Sequence, residues 1–202
     1  LTQLDVQMGV LMDHLQRRNL AENTIVLFLG DNGGSAPVPQ AEGKPLPKGK
    51  GTTLNLGTHV SCIARWPGRI QAGVAEDLVC ATDILPTLID LAGGTIPAEP
   101  VLDGVSLAPR LLQGTPSPRT SIYHWWWRPQ RTEVWVHDAR WKLYQDGRFV
   151  DVVADPLEEA PLAEVSGEAL EARQRLQGEL DRHARIPEPR IPGTGKAEDD
   201  DE

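Results

Sequence analysis

The sequence predicts an α/β fold, namely the last part of an α/β sheet domain followed by a small antiparallel sheet with one helix. Two observations support the sheet domain. A helical pattern leads into the apolar run of residues 25–29, which is typical of a buried strand, and a long loop rich in glycine and proline follows it. A third observation supports the smaller part, where four short strand-like segments precede a final helical pattern.

Composition limits the possible functions. The 202 residues are 40% hydrophobic and 24% charged, which is typical of a globular protein. The formal net charge of −9 argues against nucleic acid as a partner. No apolar run has the length of a transmembrane segment.

The first predicted element is a helix, because apolar residues recur at helical spacing at Leu4, Met8, Leu11 and Leu15. The sequence opens directly in this pattern, without an initiator Met or a signal segment. We therefore expect a fragment, the carboxy-terminal part of a longer protein.

A second strand is predicted over residues 59–66, closed by Pro67-Gly68. Thr82 or Asp83 is then expected to cap a short helix that ends at Gly93-Gly94. The apolar side of this helix comprises Leu85, Leu88, Ile89 and Ala92.

The carboxy-terminal part should form strands over residues 121–126, 133–137, 141–145 and 149–153, with a hairpin turn at Asp146-Gly147. Ser166 should cap a last helix, whose apolar side comprises Ala169, Ala172, Leu176 and Leu180. The expected domains are 1–116 for the sheet domain, 117–186 for the small subdomain and 187–202 for a disordered acidic tail. Cys62 and Cys80 suit buried free thiols, and a disulfide between them stays open.

Candidate metal ligands follow the first strand. Asp31-Asn32-Gly33-Gly34 offers carboxylate and amide oxygens, which Ca²⁺ or Mg²⁺ prefers, and the glycines allow a sharp turn past an ion. The same sequence also suits an ordinary turn. Because Ca²⁺ takes roughly six to eight oxygens, other residues would have to complete the site.

A candidate anion-binding segment is Lys48-Gly49-Lys50-Gly51-Thr52-Thr53. A lysine between glycines can present its ammonium to an anion, with backbone N–H groups and hydroxyls nearby. The alternative is a solvated basic loop.

The order of these segments resembles the sulfatase family. Five segments follow the family's order: the first helix, the strand that begins after Asn23-Thr24, Asp31-Asn32-Gly33, Gly49-Lys50-Gly51 and Trp66-Pro67-Gly68. Later segments continue the resemblance: Thr82-Asp83-Ile84-Leu85-Pro86-Thr87-Leu88, Asp103-Gly104-Val105-Ser106-Leu107, Trp141-Lys142-Leu143 and Asp155-Pro156 with Glu158-Glu159.

The resemblance implies a calcium-dependent (or Mg²⁺-dependent) sulfuric ester hydrolase with an alkaline-phosphatase-like fold. By resemblance, Asp31 and Asn32 are metal ligands and Lys50 is a catalytic residue that contacts the sulfate. The family's nucleophile, a formylglycine made within a Cys/Ser-x-Pro-x-Arg motif, is expected upstream, because neither Cys62 nor Cys80 fits that motif. The implied substrate is a small-molecule or carbohydrate sulfate ester, and the family favours a periplasmic or secreted location.

Departures and weaker candidates define the alternatives. Residues 55–61 lack the Glu, Arg and Pro that the family often has there, which leaves the substrate open. His59 is a weak substrate-binding candidate, and His124 with the three tryptophans after it could form a stacking wall or a core. The rival functions are a phosphoric or phosphonic ester hydrolase of the same superfamily and a non-catalytic binding domain. Without the nucleophile, the chain alone is expected to be inactive.

Overall fold

The computed structural model describes residues 2–38, 45–128 and 131–184. The chain divides into two compact units, which are described separately. The first comprises Leu1–Thr52 and Leu56–Thr120, and the second comprises Thr53–Asn55 and Ser121–Glu202. The predicted disordered tail over residues 187–202 lies outside the described residues.

The first unit begins with helix α1 (Thr2–Arg17) and a 3₁₀ turn (Ala21–Asn23) that lead into strand β1 (Val26–Leu29). Strand β2 (Cys62–Arg65) pairs antiparallel with β1, with Val26 opposite Arg65. The helix and both strands are confirmed, although β2 is shorter than predicted and β1 is half-buried, with Leu29 exposed, rather than buried. None of the residues of α1 is buried, and of its apolar stripe Leu4 and Leu11 are exposed while Met8 and Leu15 are half-buried.

Two further helices complete this unit. Helix α3 (Ile84–Leu91) follows a 3₁₀ turn and ends before Gly93, as predicted, and α4 (Ala108–Gln113) ends at Gly114, whose φ is 74°. The expected apolar side of α3 is wrong. Leu85 and Leu88 are exposed, whereas Pro86 and Thr87 are buried.

The second unit is a four-stranded antiparallel sheet in sequential order, with one helix packed against it. Its strands are β3 (Ile122–Arg128), β4 (Arg131–His137), β5 (Trp141–Tyr144) and β6 (Phe149–Asp151), and its helix is α5 (Gly167–His183). These elements confirm the predicted order. The hairpin turn is confirmed as well, because Gly147 has a φ of 92° and its N–H donates to the Tyr144 carbonyl.

The core of the second unit lies between α5 and one face of the sheet. Ala172, Leu176 and Leu180 are buried against a set of strand residues, as their helical spacing predicts. The strand residues are Val134, Val136, Trp141, Leu143 and Phe149. Ser166 occupies the N-cap position of α5, as predicted, but its side chain makes no capping hydrogen bond.

Short helix α2 (Asn55–Thr58) begins at the last residue of the Thr53–Asn55 segment. Cys62 and Cys80 are both free, as predicted, but Cys62 is exposed and Cys80 is half-buried, so neither is the buried thiol that was expected. In the described residues, no helix combines the length and the hydrophobicity needed to cross a membrane.

Candidate functional site

The two candidate segments of the first unit lie side by side. The Gly34 carbonyl accepts hydrogen bonds from the backbone N–H groups of Gly49 (2.9 Å) and Lys50 (3.0 Å). The Gly33 N–H donates to the Gly57 carbonyl at 3.0 Å. Backbone hydrogen bonds therefore join the loop that carries Asp31 and Asn32 to the loop that carries Lys50.

Close backbone packing explains three of the glycines. A Cβ atom on Gly33 or on Gly49 would lie 1.9 Å from the Leu56 carbonyl oxygen. A Cβ on Gly57 would lie 2.5 Å from the Thr52 carbonyl oxygen. The sequence pattern suggested glycines for a sharp turn and for access to the lysine, whereas the structure shows that Gly33 and Gly49 leave room for a third segment. Within the lysine loop, Gly51 has a φ of 79° and so needs glycine for its own conformation.

The functional side chains of this site are accessible. Asp31 and Lys50 are exposed, and Asn32 is half-buried. The Thr52 hydroxyl is occupied locally, because it donates to the Gly49 carbonyl at 2.7 Å. An anion therefore has access to the Lys50 ammonium, with Asp31 and Asn32 on the neighbouring loop.

The residues fit part of a hard-cation site. Asp31 and Asn32 supply one carboxylate and one amide oxygen, the donor types that Ca²⁺ or Mg²⁺ prefers. Across residues 2–38, 45–128 and 131–184, no group of three or more His, Cys, Asp or Glu side chains is gathered for a metal. Two donors match the chemistry of the ion but are fewer than the roughly six to eight oxygens that Ca²⁺ takes.

His59 lies in an exposed position after helix α2. It was expected at the start of a strand, but β2 begins only at Cys62, so that placement is wrong. Its assignment as a weak substrate-binding residue stays a prediction.

The later motif residues of the first unit stabilise its fold. The fully buried Asp83 carboxylate accepts hydrogen bonds from the backbone N–H groups of Cys80 and Val105, both at 2.8 Å, and forms an ion pair with Arg119. Of the two residues predicted to cap α3, Asp83 occupies the N-cap position. Its side chain makes no capping hydrogen bond to the helix, because it binds these groups instead.

Two further motif positions hold the same segments together. The Thr87 hydroxyl donates to the Asp83 carbonyl at 2.6 Å and accepts from the Leu107 N–H at 2.8 Å. A Cβ on Gly104 would lie 1.9 Å from the Thr82 carbonyl oxygen. Both motifs therefore join helix α3 to the segment that precedes α4.

The aromatic segment of β3 belongs to the second unit. Trp125 packs against the core on the helix side, as alternation along the strand predicts. His124 stacks on Trp135, with ring centroids 4.6 Å apart, and its Nε2 lies 3.1 Å from Nε2 of His137. Burial, together with the charges of His137 and Lys142, lowers the pKa of His124 to about 3. One face of this segment is thus core, as predicted.

Sequence reasoning missed a buried polar cluster in the second unit. Lys142 and Glu158 form an ion pair, with Nζ and Oε1 2.9 Å apart, and their side chains are 3% and 1% exposed. The Tyr144 hydroxyl donates to Glu158 Oε2 at 2.6 Å. The only signal in the sequence was that Lys142 and Glu158 stand in two segments that resemble a known family.

Two family models match the chain. The model described as "Sulfatase" matches residues 1–94, and the one described as "N-sulphoglucosamine sulphohydrolase, C-terminal" matches residues 53–183. Human arylsulfatase A is 36% identical over 163 residues, which cover 77% of this chain and 32% of that relative. The chain thus spans about a third of the length of this relative.

Solved structures share the fold. The PsFucS1 sulfatase from Pseudoalteromonas sp. superposes with a TM-score of 0.71 at 22% identity, covering 94% of this chain and 43% of that one. A phosphonate monoester hydrolase from Silicibacter pomeroyi also gives a TM-score of 0.71 at 22% identity, covering 91% and 39%. At these identities the likeness shows an alkaline-phosphatase-like α/β fold, as predicted, and nothing about the reaction.

Proposed function

The chain belongs to the sulfatase family, and we propose that the intact protein hydrolyses a sulfuric ester at a site to which Asp31, Asn32 and Lys50 contribute. The substrate class is a small-molecule or carbohydrate sulfate ester, in keeping with the arylsulfatase and sulfated-sugar hydrolase names of the matches. The observation that carries the proposal is the pair of hydrogen bonds from Gly49 and Lys50 to the Gly34 carbonyl. Through them, the loop with the proposed metal-ligating oxygens and the loop with the exposed Lys50 side chain are held together.

Asp31 and Asn32 would hold part of a Ca²⁺ site, or of an Mg²⁺ site. When bound, the ion supplies positive charge that stabilises the sulfate oxygens as the ester bond breaks. The remaining oxygen ligands are proposed to come from residues beyond these 202.

Lys50 is proposed to bind the sulfate group directly. Its ammonium is exposed on a loop whose backbone is fixed to Gly34 at 3.0 Å. A cation fixed in this way lowers the energy of the charge that develops on the sulfate oxygens, provided that water is excluded when substrate binds. The chain's own role is therefore to bind and orient, and the nucleophile, a formylglycine by family resemblance, is proposed to lie outside it.

Substitution of Lys50 tests this role in the intact protein. Lys50→Ala should lower kcat for an aryl sulfate by about 10²–10³-fold, the usual loss when one stabilising group for a developing anion is removed. Lys48→Ala is the matched control, because Lys48 is also an exposed lysine two residues away. Equal losses in the two variants would show that the loop acts only through its general positive charge.

A phosphoric or phosphonic ester hydrolase is the second candidate, since a phosphonate monoester hydrolase shares this fold. Rates on matched aryl sulfate and aryl phosphonate esters separate the two functions. The proposed function requires the sulfate ester to be the better substrate by kcat/KM. Binding of the sulfate ester without turnover of either ester would instead indicate a non-catalytic domain.

A further inference from the structure

The second unit contains a buried ion pair that the proposed mechanism does not use. Lys142, on β5, is 2% exposed, and its Nζ lies 2.9 Å from Oε1 of Glu158. Burial lowers the pKa of Lys142 to about 8, and the Glu158 carboxylate acts in the opposite direction. Removing two charges from water is costly, and well-packed apolar residues often replace such a pair without loss of stability. Stability alone is therefore a poor explanation for the pair.

The ion pair holds the backbone of a remote segment. Lys142 Nζ donates to the Thr53 carbonyl at 2.5 Å, and Glu158 Oε1 accepts the Asn55 N–H at 2.6 Å. The Tyr144 hydroxyl also binds Glu158, at 2.6 Å. The Thr53 hydroxyl, itself buried, donates to the Glu133 carboxylate. Contacts to residues at least 80 positions away in the sequence thus fix Thr53–Asn55, which belongs to the second unit.

The backbone of Glu158 adopts an unfavourable conformation. Its φ is 56°, in the left-handed region that residues other than glycine seldom adopt. Such a conformation persists when the surrounding contacts require it, and it often marks a functional position. The carboxylate that accepts the hydrogen bond from the Asn55 N–H thus belongs to a residue with a strained backbone.

The fixed segment directly follows the Lys50 loop. Only Gly51 and Thr52 separate Lys50 from Thr53. On the N-terminal side of the loop, the Gly34 carbonyl accepts the hydrogen bonds from Gly49 and Lys50. Within the loop, the Thr52 N–H donates to the Gly49 carbonyl at 3.0 Å. Because only two residues join Lys50 to this fixed segment, the backbone of its loop has fewer conformations available, and the lysine that it carries is preorganised.

We propose that Lys142 and Glu158, assisted by Tyr144, are positioning residues for Lys50. They fix the backbone of Thr53–Asn55 and thereby restrict the loop that presents the ammonium to the sulfate. This inference rests on the proposed function for its effect on turnover, but the restriction of the loop is measurable without any activity.

The test compares three variants of the intact protein by site-resolved amide hydrogen exchange and by aryl sulfate kinetics. Lys142→Met/Glu158→Leu removes both charges together, which avoids an unpaired buried charge that could prevent folding. Tyr144→Phe removes only one hydroxyl and is the milder variant. Arg140→Met is the matched control, because it breaks ion pairs with Asp151 and Glu168 in the same unit but does not contact Thr53–Asn55.

The double variant should exchange its Lys50 and Thr52 amides at least tenfold faster, although the acceptors of both amides are unchanged. The Asn55 amide reports only the lost bond itself. In the double variant, kcat should also fall at least tenfold, with a smaller change in KM. Tyr144→Phe should show the same pattern, a larger effect on kcat than on KM, but more weakly. Arg140→Met should resemble the wild type in both measurements.

Two results would overturn the inference. Unchanged exchange at Lys50 and Thr52 would mean that the anchor does not restrict the loop, whether or not the protein is a sulfatase. Faster exchange with unchanged kcat in an active enzyme would mean that the restricted loop does not position Lys50. Should the intact protein hydrolyse no sulfate ester, the proposed function fails separately, and the exchange data still decide the restriction.

Discussion

Gly49→Ala should disrupt the candidate site through its backbone. The added Cβ would lie 1.9 Å from the Leu56 carbonyl oxygen and 2.5 Å from the Leu56 carbonyl carbon. Since Cβ atoms in folded proteins essentially never approach a heavy atom within 3.0 Å, the two segments must separate by at least the difference, which is about 1 Å.

The energetic cost follows from which atoms collide. Inserting a methyl group into a packed region costs about 1–3 kcal/mol, and the upper end applies when no flexible side chain can move aside. Here both colliding atoms belong to the backbone, so we expect a loss of about 3 kcal/mol in the free energy of unfolding. The displacement also strains the bond from the Gly49 N–H to the Gly34 carbonyl, so kcat should fall as well.

The assay is chemical denaturation of the intact protein together with aryl sulfate turnover. Gly178→Ala is the control, because no heavy atom lies within 4 Å of its added Cβ and the residue lies inside helix α5. That variant should gain about 0.5–1 kcal/mol from the higher helix propensity of alanine. If Gly49→Ala retained both the wild-type stability and the wild-type kcat, the tight packing of the two loops against Leu56 would be refuted.

Two more predictions concern the activity of the isolated chain and the pH dependence of the free energy of unfolding. Residues 1–202 expressed alone should not hydrolyse an aryl sulfate even with added calcium, because the proposed ligands Asp31 and Asn32 would fill only part of a calcium shell and neither cysteine lies in a formylglycine motif; turnover abolished by Lys50→Ala would contradict this. The pKa of His124 falls from its ordinary 6.5 to about 3 in the folded state, so the unfolded chain binds more protons between these values and the free energy of unfolding should decrease as the pH falls through that range. His124→Phe should remove this part of the pH dependence, as denaturation at pH 6.5 and pH 4 would show, whereas an unchanged dependence would exclude His124 as its source.

Local patterns predicted much of the fold. Alternation and turn residues located β3 to β6, and helical spacing located the buried side of α5. The same reasoning failed for α3, where Leu85 and Leu88 are exposed. Spacing identifies an apolar side but not whether another element covers it.

The candidate site was predictable only in its residue types. Asp31, Asn32 and Lys50 were named from chemistry and family resemblance, and their roles stay predictions. Contacts between distant segments were hidden from the sequence. The packing of Gly33 and Gly49 around Leu56 depends on a third segment, and the bonds from Lys142 and Glu158 to Thr53–Asn55 join residues far apart in the chain.

The central claim is that the loop carrying Asp31 binds the metal ion used in sulfate ester hydrolysis. A calcium titration of the metal-free intact protein, with bound calcium and aryl sulfate turnover followed in the same samples, tests it most directly. The account predicts that wild-type turnover rises with calcium occupancy, and that Asp31→Ala loses both together. Asp31→Ala with the wild-type calcium stoichiometry and the wild-type kcat would contradict the claim.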